Sequence, residues 1–559
     1  MHATDFLQFA VFLAALVLLT PPLGAYMAGV LDGRIAFLQP IESFFYKLIG
    51  VDHHREMTWK QYAAALLAFN VIGFIVLLAL LMAQGFLPLN PQAFPGLKLP
   101  LAVNTAISFV TNTNWQAYSG EAALSYFSQM VGLTVQNFVS AAVGIAALMA
   151  LVRGLSRRSG QTLGNFWADL VRSVLYILLP LSIILTIILV SQGVVQNLSA
   201  YQNATTLEGA RQVIPMGPAA SQIAIKQLGT NGGGFFGVNS SHPFENPTPW
   251  SNFLELLSIL LIPSALTYSY GLLVGDKRQG WAIFAAMLTL FLIGFGISWW
   301  AEVQPNPITG VPINLEGKEQ RFGVMNSVLW STATTCASNG SVNAMHDSLS
   351  PLAGMIALVN IKLGEIVFGG VGAGMYGMLM YVILTVFIAG LMVGRTPEYL
   401  GKKIEAREIR LAVLALFIPS GLILVGAAIG CTTQAGLAGL ANGGPHGLSE
   451  ILYAFASALG NNGSAFAGLS VDTPFYDYLL GLGMLIGRFI VIIPVLAIAG
   501  SMVVKNVTPP SSGTFPTTGV LFPVLLVSVI LIVSALFFLP ALTLGPIMEH
   551  LLMLQHRTF

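Results

Sequence analysis

Apolar runs recur along the whole chain, near residues 6–29, 61–83, 126–152, 171–193, 253–275, 280–300, 351–394, 411–431, 479–503 and 520–540. A helix needs roughly 20 such residues to cross a bilayer core of about 30 Å, so the pattern predicts ten membrane spans. The seventh run, at 44 residues, is about twice the length one crossing needs, and it contains Phe368-Gly369-Gly370-Val371-Gly372-Ala373-Gly374-Met375-Tyr376-Gly377. Glycine costs about 1 kcal/mol relative to alanine inside a helix. Five glycines so close together therefore predict an interruption, although close helix contacts through small residues would use the same residue type.

A second, shorter pattern alternates with the first. Four connections hold an apolar segment followed by a polar stretch rich in glycine and asparagine. Leu99–Val110 leads into Thr111-Asn112-Thr113-Asn114, and Pro218–Leu228 leads into Gly229-Thr230-Asn231-Gly232-Gly233-Gly234. Met325–Thr335 leads into Ser338-Asn339-Gly340, and Leu448–Leu459 into Gly460-Asn461-Asn462-Gly463. Setting Asn114, Gly232, Gly340 and Gly463 in register spaces the units by 118, 108 and 123 residues. A near-constant interval is the mark of a repeated unit. Segments of eleven or twelve residues rise about 16–18 Å as helix, too little to cross. They are expected to dip in and stop midway, with the polar stretch returning as extended chain. Non-helical backbone at that depth is tolerated only where it is buried or lines a water-filled cavity.

These patterns predict an all-α polytopic membrane protein with about ten transmembrane helices. Four helix–pore loop–helix units, over 61–152, 171–275, 280–394 and 411–503, would surround one pore. Extra helices at 1–30 and 520–540 complete a single membrane domain over residues 1–559. Composition agrees: 55% of residues are hydrophobic and 8% charged, against about 25% charged in soluble domains. The first run lacks the basic leader of a signal peptide, having Met1-His2-Ala3-Thr4-Asp5, and is read as a retained helix. A net charge of +1 with no basic patch argues against a nucleic-acid partner. Cys336 and Cys431 are too few for a disulfide framework.

Lysine and arginine set the orientation. The odd-numbered connections carry Arg34, Lys47, Arg55 and Lys60; Arg153, Arg157 and Arg158; Lys277 and Arg278; Arg395, Lys402, Lys403 and Arg407; and Lys505. The longer even-numbered ones carry Lys98, Arg211, Lys226, Lys318 and Arg321. The bias puts the odd connections in the cytoplasm and both termini outside.

Four polar stretches around one axis have the chemistry to strip water from a cation. Backbone carbonyls replace hydration oxygens in potassium filters. Aiming successive carbonyls inward favours glycine and tolerates asparagine, and Thr and Ser add hydroxyl oxygens. Each short helix also aims its carbonyl end, with partial negative charge, at the centre. A single Asn-Gly stretch is more simply a turn; four on one face, each after a half-length helix, are not.

At these residues the chain resembles a known family. The runs SFVTNTNWQAYSGE (108–121), MGPAASQIAIKQLGTNGGGFF (216–236), NSSHPFENP (239–247), GRTPEYLGKKIEAREI (394–409), GNNGSAFAGLS (460–470) and SSGTFPTTGVL (511–521) look like those of the KdpA family. That family is similar in plan to the Trk, Ktr and HKT potassium transporters. The resemblance implies a potassium-selecting subunit of an ATP-driven pump in the bacterial inner membrane. Its partners would be a P-type ATPase subunit (KdpB-like), a KdpC-like subunit and a small KdpF-like peptide. It also implies a potassium filter at Asn112, Thr113 and Asn114; Thr230, Asn231 and Gly232; Ser338, Asn339 and Gly340; and Asn461, Asn462 and Gly463, with Gln116 just after the first stretch. Related transporters carry a discontinuous helix where Gly369, Gly370, Gly372 and Gly374 fall, forming a gate under the filter. Asn114 departs from the glycine of the other three stretches, and the third stretch is the least motif-like.

The chain has no GxxxxGK[ST] and no Asp-Lys-Thr-Gly sequence, so potassium is its expected ligand and no nucleotide is. An autonomous channel or symporter of the Trk/Ktr type is the alternative. Lys362, Glu365 and Arg488 sit inside apolar spans, where ionisable groups usually face a cavity; a buried ion pair without a transport role is the other reading. Glu398, Lys402, Lys403 and Glu405 form a charged loop, either solvated or docked to a partner. His242 with Glu245, and His346 with Asp347, lack metal-motif spacing and are read as polar groups of the outer mouth.

Overall fold

The computed structural model describes residues 3–509 and 514–558. Met1 and His2 of the leader reading and residues 511–513 of SSGTFPTTGVL lie outside them. Among the described residues ten helices are long and apolar enough to cross a membrane: Asp5–Leu31, Trp59–Phe86, Ser128–Ser156, Phe166–Ser191, Pro249–Leu273, Lys277–Glu302, Ala373–Met392, Ala406–Thr432, Pro474–Val503 and Leu521–Leu554. The long seventh run is split into Pro351–Lys362 and Ala373–Met392, with non-helical chain between.

The four half-helices are Leu99–Val110, Ala219–Leu228, Gly323–Ala337 and Gly444–Leu459. The third and fourth begin earlier than their apolar pattern indicates, with Gly323-Val324 and Gly444-Pro445-His446-Gly447 continuing the helix outward, Pro445 in its first turn. Each unit therefore reads span, half-helix, polar stretch, span. In every unit the second span is more enclosed than the first. For the first unit, 83% of the most apolar window of Ser128–Ser156 is buried, against 22% for Trp59–Phe86. The second spans thus line the centre, and the first spans present their apolar faces outward, where lipid covers them.

The N-terminal span packs outside the units. Phe9 stacks on Phe295 at 4.2 Å, and Thr20 Oγ1 donates to Ser264 Oγ at 3.1 Å. Spans start where the sequence supplies caps. Thr58 accepts from Gln61 N–H, and Thr248 from Ser251 N–H, each with the reciprocal bond, satisfying donors that the first helical turn leaves free.

Three features were not legible as apolar runs. The helix Gln39–Ile49 is too short to cross; it buries Glu42 and Tyr46 and exposes Ile41, Phe44 and Leu48, the arrangement of a helix lying on a bilayer surface. A two-stranded hairpin pairs Gln202–Thr205 with Arg211–Ile214. The final span does not end near residue 540. It bends at Gly545-Pro546 and continues as Met548–Leu554, since proline breaks the hydrogen-bond ladder but its neighbours resume it.

Candidate cation-binding site

The four polar stretches meet, and their backbones repeat. The first and third residue of each has positive φ: Asn112 (65°) and Asn114 (54°), Thr230 (51°) and Gly232 (81°), Ser338 (53°) and Gly340 (92°), Asn461 (47°) and Gly463 (89°). Left-handed conformations are uncommon outside glycine, so four pairs at one spacing fix the register, including that of the third stretch. The turn folds back over its half-helix. Thr113 and Asn114 N–H donate to Ser108 O, Asn231 and Gly232 to Lys226 O, Asn339 to Thr334 O, and Asn462 to Ser457 O. The helix carbonyl ends are thus brought to the inner edge of the stretches.

Each stretch is bound to the next, and the last to the first. Asn112 Nδ2 donates to Thr230 O at 3.2 Å, and Asn231 Nδ2 returns to Asn112 Oδ1 at 2.5 Å. Asn339 Nδ2 donates to Lys226 O at 3.0 Å, below the second stretch. Ser338 Oγ donates to Asn461 O at 3.0 Å, while Asn461 Nδ2 reaches Thr113 Oγ1 at 2.9 Å. The glycines allow the backbones to touch. A Cβ at Gly232 would overlap Asn339 O, one at Gly463 would overlap Thr113 O, and one at Gly340 would lie 2.6 Å from Asn462 O. Asn114 adopts the same backbone without glycine because its side chain is held: Nδ2 donates to Asn137 Oδ1 at 2.7 Å and Gly233 O at 2.9 Å. Gln116 pairs with Gly234 in both directions, Nε2 to O at 2.8 Å and Oε1 from N–H at 3.1 Å. All thirteen residues expected at the filter are thereby brought together around one ring.

Most residues behind the ring had no local signal. Asn137 and Ser140 are polar positions within an apolar span, and Ser140 Oγ donates to Asn112 Oδ1 at 2.8 Å. Thr334 Oγ1 accepts Gly340 N–H at 3.0 Å. Ser341 and Ser464 N–H close matching turns on Asn339 and Asn462 Oδ1 at 3.0 and 3.1 Å; the shared Asn-Gly-Ser was the available clue. Lys226, counted as a cation of an outer connection, is fully buried and ion-paired with Glu245. Gln227 Nε2 and Ser240 Oγ donate to Glu255 Oε2 at 3.1 and 3.0 Å. The run NSSHPFENP thus acts as the brace of the second half-helix. His242 stacks on Phe236 at 4.0 Å. Burial, then Arg321, push its pKa down to about 4, so it adds no positive charge near neutral pH.

The glycine-rich segment lies against the inner edge of the ring. Val371 N–H donates to Thr230 Oγ1 at 2.8 Å, and Thr230 is the residue at which the second stretch leaves its half-helix. Glu365 and Phe368 have positive φ, as do Gly364 and Gly372. A Cβ at Gly369 would overlap Glu365 O, and one at Gly372 would overlap Gly144 O. Gly370 has more room, with Glu365 Oε2 at 3.2 Å from its Cβ position. Lys362, Glu365 and Arg488 line one narrow cavity of about 60 Å³ beside the fourth stretch, with Tyr376, Pro419 and Asn461. Lys362 Nζ has no hydrogen-bond partner among the described residues and lies 5.0 Å from the Phe538 ring centroid. Arg488 donates to Ser140 O at 3.3 Å. The three do not ion-pair within 4 Å among the described residues, so the reading of them as a buried ion pair is not supported.

In the charged loop, Lys402 is neither solvated nor free to dock. It is buried, and its Nζ donates to Gly154 O and Met502 O at 2.8 and 2.7 Å, capping two helix ends.

Comparison with known proteins gives one consistent result. The family model described as potassium-transporting ATPase A subunit (KdpA) matches residues 10–551. A potassium-transporting ATPase potassium-binding subunit of Pseudomonas syringae pv. tomato is 59% identical over 99% of both chains. The protein of that name from Leptospira interrogans is 55% identical over 100% of both. Among solved structures, the potassium transporter TrkH from Vibrio parahaemolyticus superposes with a TM-score of 0.50 at 14% identity, covering 88% of this chain and 97% of that one. That likeness concerns the fold.

Proposed function

The chain belongs to the KdpA family of potassium-transporting ATPase A subunits, and from that premise we propose that it is the channel-like subunit that selects potassium for the pump. It is a multi-pass membrane protein and the potassium-binding subunit of a potassium-transporting ATPase. The finer reading is that potassium enters from the periplasmic side of a bacterial inner membrane, with both chain termini on that side. It loses water in the ring of Gly/Asn stretches and accepts their carbonyls instead. The closed ring, with eight left-handed positions in fourfold register, is the observation that carries this.

The same reading makes the segment Gly369–Gly374 a barrier under the ring. It lies across the inner edge at Thr230, so an ion leaving the ring is denied a straight path to the cytoplasm and must pass sideways towards a P-type ATPase partner. KdpB-, KdpC- and KdpF-like subunits would complete the complex, and the nucleotide would bind the P-type partner rather than this chain.

The test is potassium binding by the purified chain, read as potassium-dependent thermal stabilisation against sodium and rubidium. Gly232→Asp puts a side chain and a charge against Asn339 O; weaker potassium binding and lost discrimination are expected. Unchanged affinity and selectivity would refute the ring as filter. The chain alone should hydrolyse no ATP, with potassium-stimulated, vanadate-sensitive turnover appearing once the ATPase partner is added. An autonomous transporter would instead carry potassium with no such partner.

A further inference from the structure

Away from the ring, a polar cluster joins the third and fourth units on the face from which the half-helices enter. His446 and Glu450 are one turn apart on Gly444–Leu459 and share a side of that helix. Asp347 lies in the short turn His346–Ser348, fixed by its N–H to Phe466 O at 2.7 Å. One ligand atom from each of Asp347, His446 and Glu450 lies within 4.8 Å of the others. His446 Nε2 is 2.9 Å from Asp347 Oδ1, and Nδ1 is 2.8 Å from Glu549 Oε1 on the final helical segment.

Two further observations bear on a cation here. Glu450 is 1% exposed, and while its Oε1 accepts from Asn442 Nδ2 at 2.7 Å, its Oε2 has no hydrogen-bond partner among the described residues. A buried carboxylate oxygen without a donor is costly unless positive charge joins it; the His446 ring, bonded through both nitrogens to carboxylates, is the charge the metal-free cluster holds, and a dication supplies more. The gap between them is also kept open. A Cβ at Gly468 would lie 2.7 Å from Asp347 Oδ1 and overlap Glu450 Oε1. The cluster borders a surface cavity of about 420 Å³ that Asp347, Asn442, His446, Glu549 and Arg557 help to line, which gives an ion a way in.

We propose that Asp347, His446 and Glu450 form a site for a divalent transition-metal cation of the zinc class, distinct from the potassium ring, with Glu549 as the residue that orients His446. One imidazole with two carboxylates suits such a cation, whereas magnesium and calcium prefer oxygen alone. Zinc bonds of about 2.0–2.2 Å set tetrahedral ligand atoms roughly 3.3–3.6 Å apart, so His446 Nε2 and Asp347 Oδ1, now 2.9 Å apart, must part slightly, while all three ligand atoms already lie within 4.8 Å. Glu549 keeps the Nδ1 proton, and binding releases to solvent the Nε2 proton now shared with Asp347, which frees the Nε2 lone pair for the metal. The fourth position faces the cavity and takes water. A bound ion ties the turn after the third stretch to the fourth half-helix.

The experiment uses the complex purified with its partner subunits, stripped with chelator and titrated with Zn²⁺ alone. One zinc per chain is expected, with an imidazole nitrogen in its coordination shell by X-ray absorption. His446→Ala and the near-isosteric Glu450→Gln should each weaken that site at least about 10-fold, and Glu549→Gln roughly 10–100-fold. The metal-free thermal transition and potassium binding of Glu450→Gln serve as the folding control. A parent complex that binds no zinc, or zinc bound equally well by the parent, Glu450→Gln and Asp347→Asn, overturns the proposal.

Discussion

The ring of four stretches and the segment beneath it are both built from glycine and left-handed backbone, yet they are held in opposite ways. In the ring, side chains of neighbouring units bond to each other's backbones, as Asn112 does to Thr230 and Ser338 to Asn461, or to each other's side chains, as Asn461 does to Thr113 Oγ1. Among the described residues the segment 363–372 meets the ring at two places, Val371 N–H to Thr230 Oγ1 and the Glu365 side chain at Ser338, and belongs to a single unit. A site that ranks ions by carbonyl spacing needs the first kind of construction, because discrimination is lost if the oxygens can relax. A barrier that must yield to ions needs the second, since segments that move carry few cooperative ties. Glycine serves the ring by letting neighbouring chains touch, and serves the segment by breaking a helix.

The largest expected effect comes from filling the ring. Gly232→Ala and Gly463→Ala force a Cβ into Asn339 O and Thr113 O, whereas Gly340→Ala meets Asn462 O at 2.6 Å. Each adds left-handed strain of about 1–3 kcal/mol, where about 1.4 kcal/mol is tenfold in affinity. Potassium affinity should fall by about 100-fold or more at 232 and 463, and by roughly 10-fold at 340. Gly370→Ala, in the segment, should leave binding within about 3-fold, because its Cβ has room. Equal losses at all four positions would erase the distinction between ring and segment.

Deleting Gly369–Gly374 attacks the other side of the comparison. The expected outcome is a chain that still binds potassium but lets it leak, read as passive potassium flux in vesicles without ATP, at several times the parent's rate. A deletion that assembles, binds potassium and stays as ion-tight as the parent would show that the barrier lies elsewhere.

How much of this was legible in the sequence depends on whether a residue's role is set by its neighbours along the chain or across it. Span number, the break in the seventh run and the register of the four stretches were readable, because length and recurring Asn-Gly pairs are local signals. Lys226 was not: its segment Pro218–Leu228 is expected to dip inward, but nothing along the chain says that Glu245 meets it there. Asn137 and Ser140 read as minor polar positions in an apolar span, and only the turn of that helix towards Asn112 and Asn114 gives them work. Asp347, His446, Glu450 and Glu549 are spread over about 200 residues, so no spacing rule could have joined them.

The smallest loss expected within the ring, and the finest test of the comparison, is Asn114→Gly, which makes the first stretch match the other three. Asn114 sits at φ 54°, a conformation that costs an L-residue about 1–2 kcal/mol and asparagine less; glycine removes that strain. The same change deletes two bonds, to Asn137 Oδ1 and to Gly233 O, each worth about 0.5–1.5 kcal/mol net, and leaves Asn137 buried without them. The losses exceed the relief by roughly 1 kcal/mol, so potassium binding should weaken about fivefold, far less than at Gly232. If the two bonds are the reason, Asn114→Gly should cost less in an Asn137→Leu background, where only the bond to Gly233 O is left to lose, since contacting residues couple in a double-mutant cycle. A variant that binds potassium more tightly than the parent would mean that rigid side-chain bracing is not what the first stretch contributes, and that its departure from glycine answers to something other than the ring.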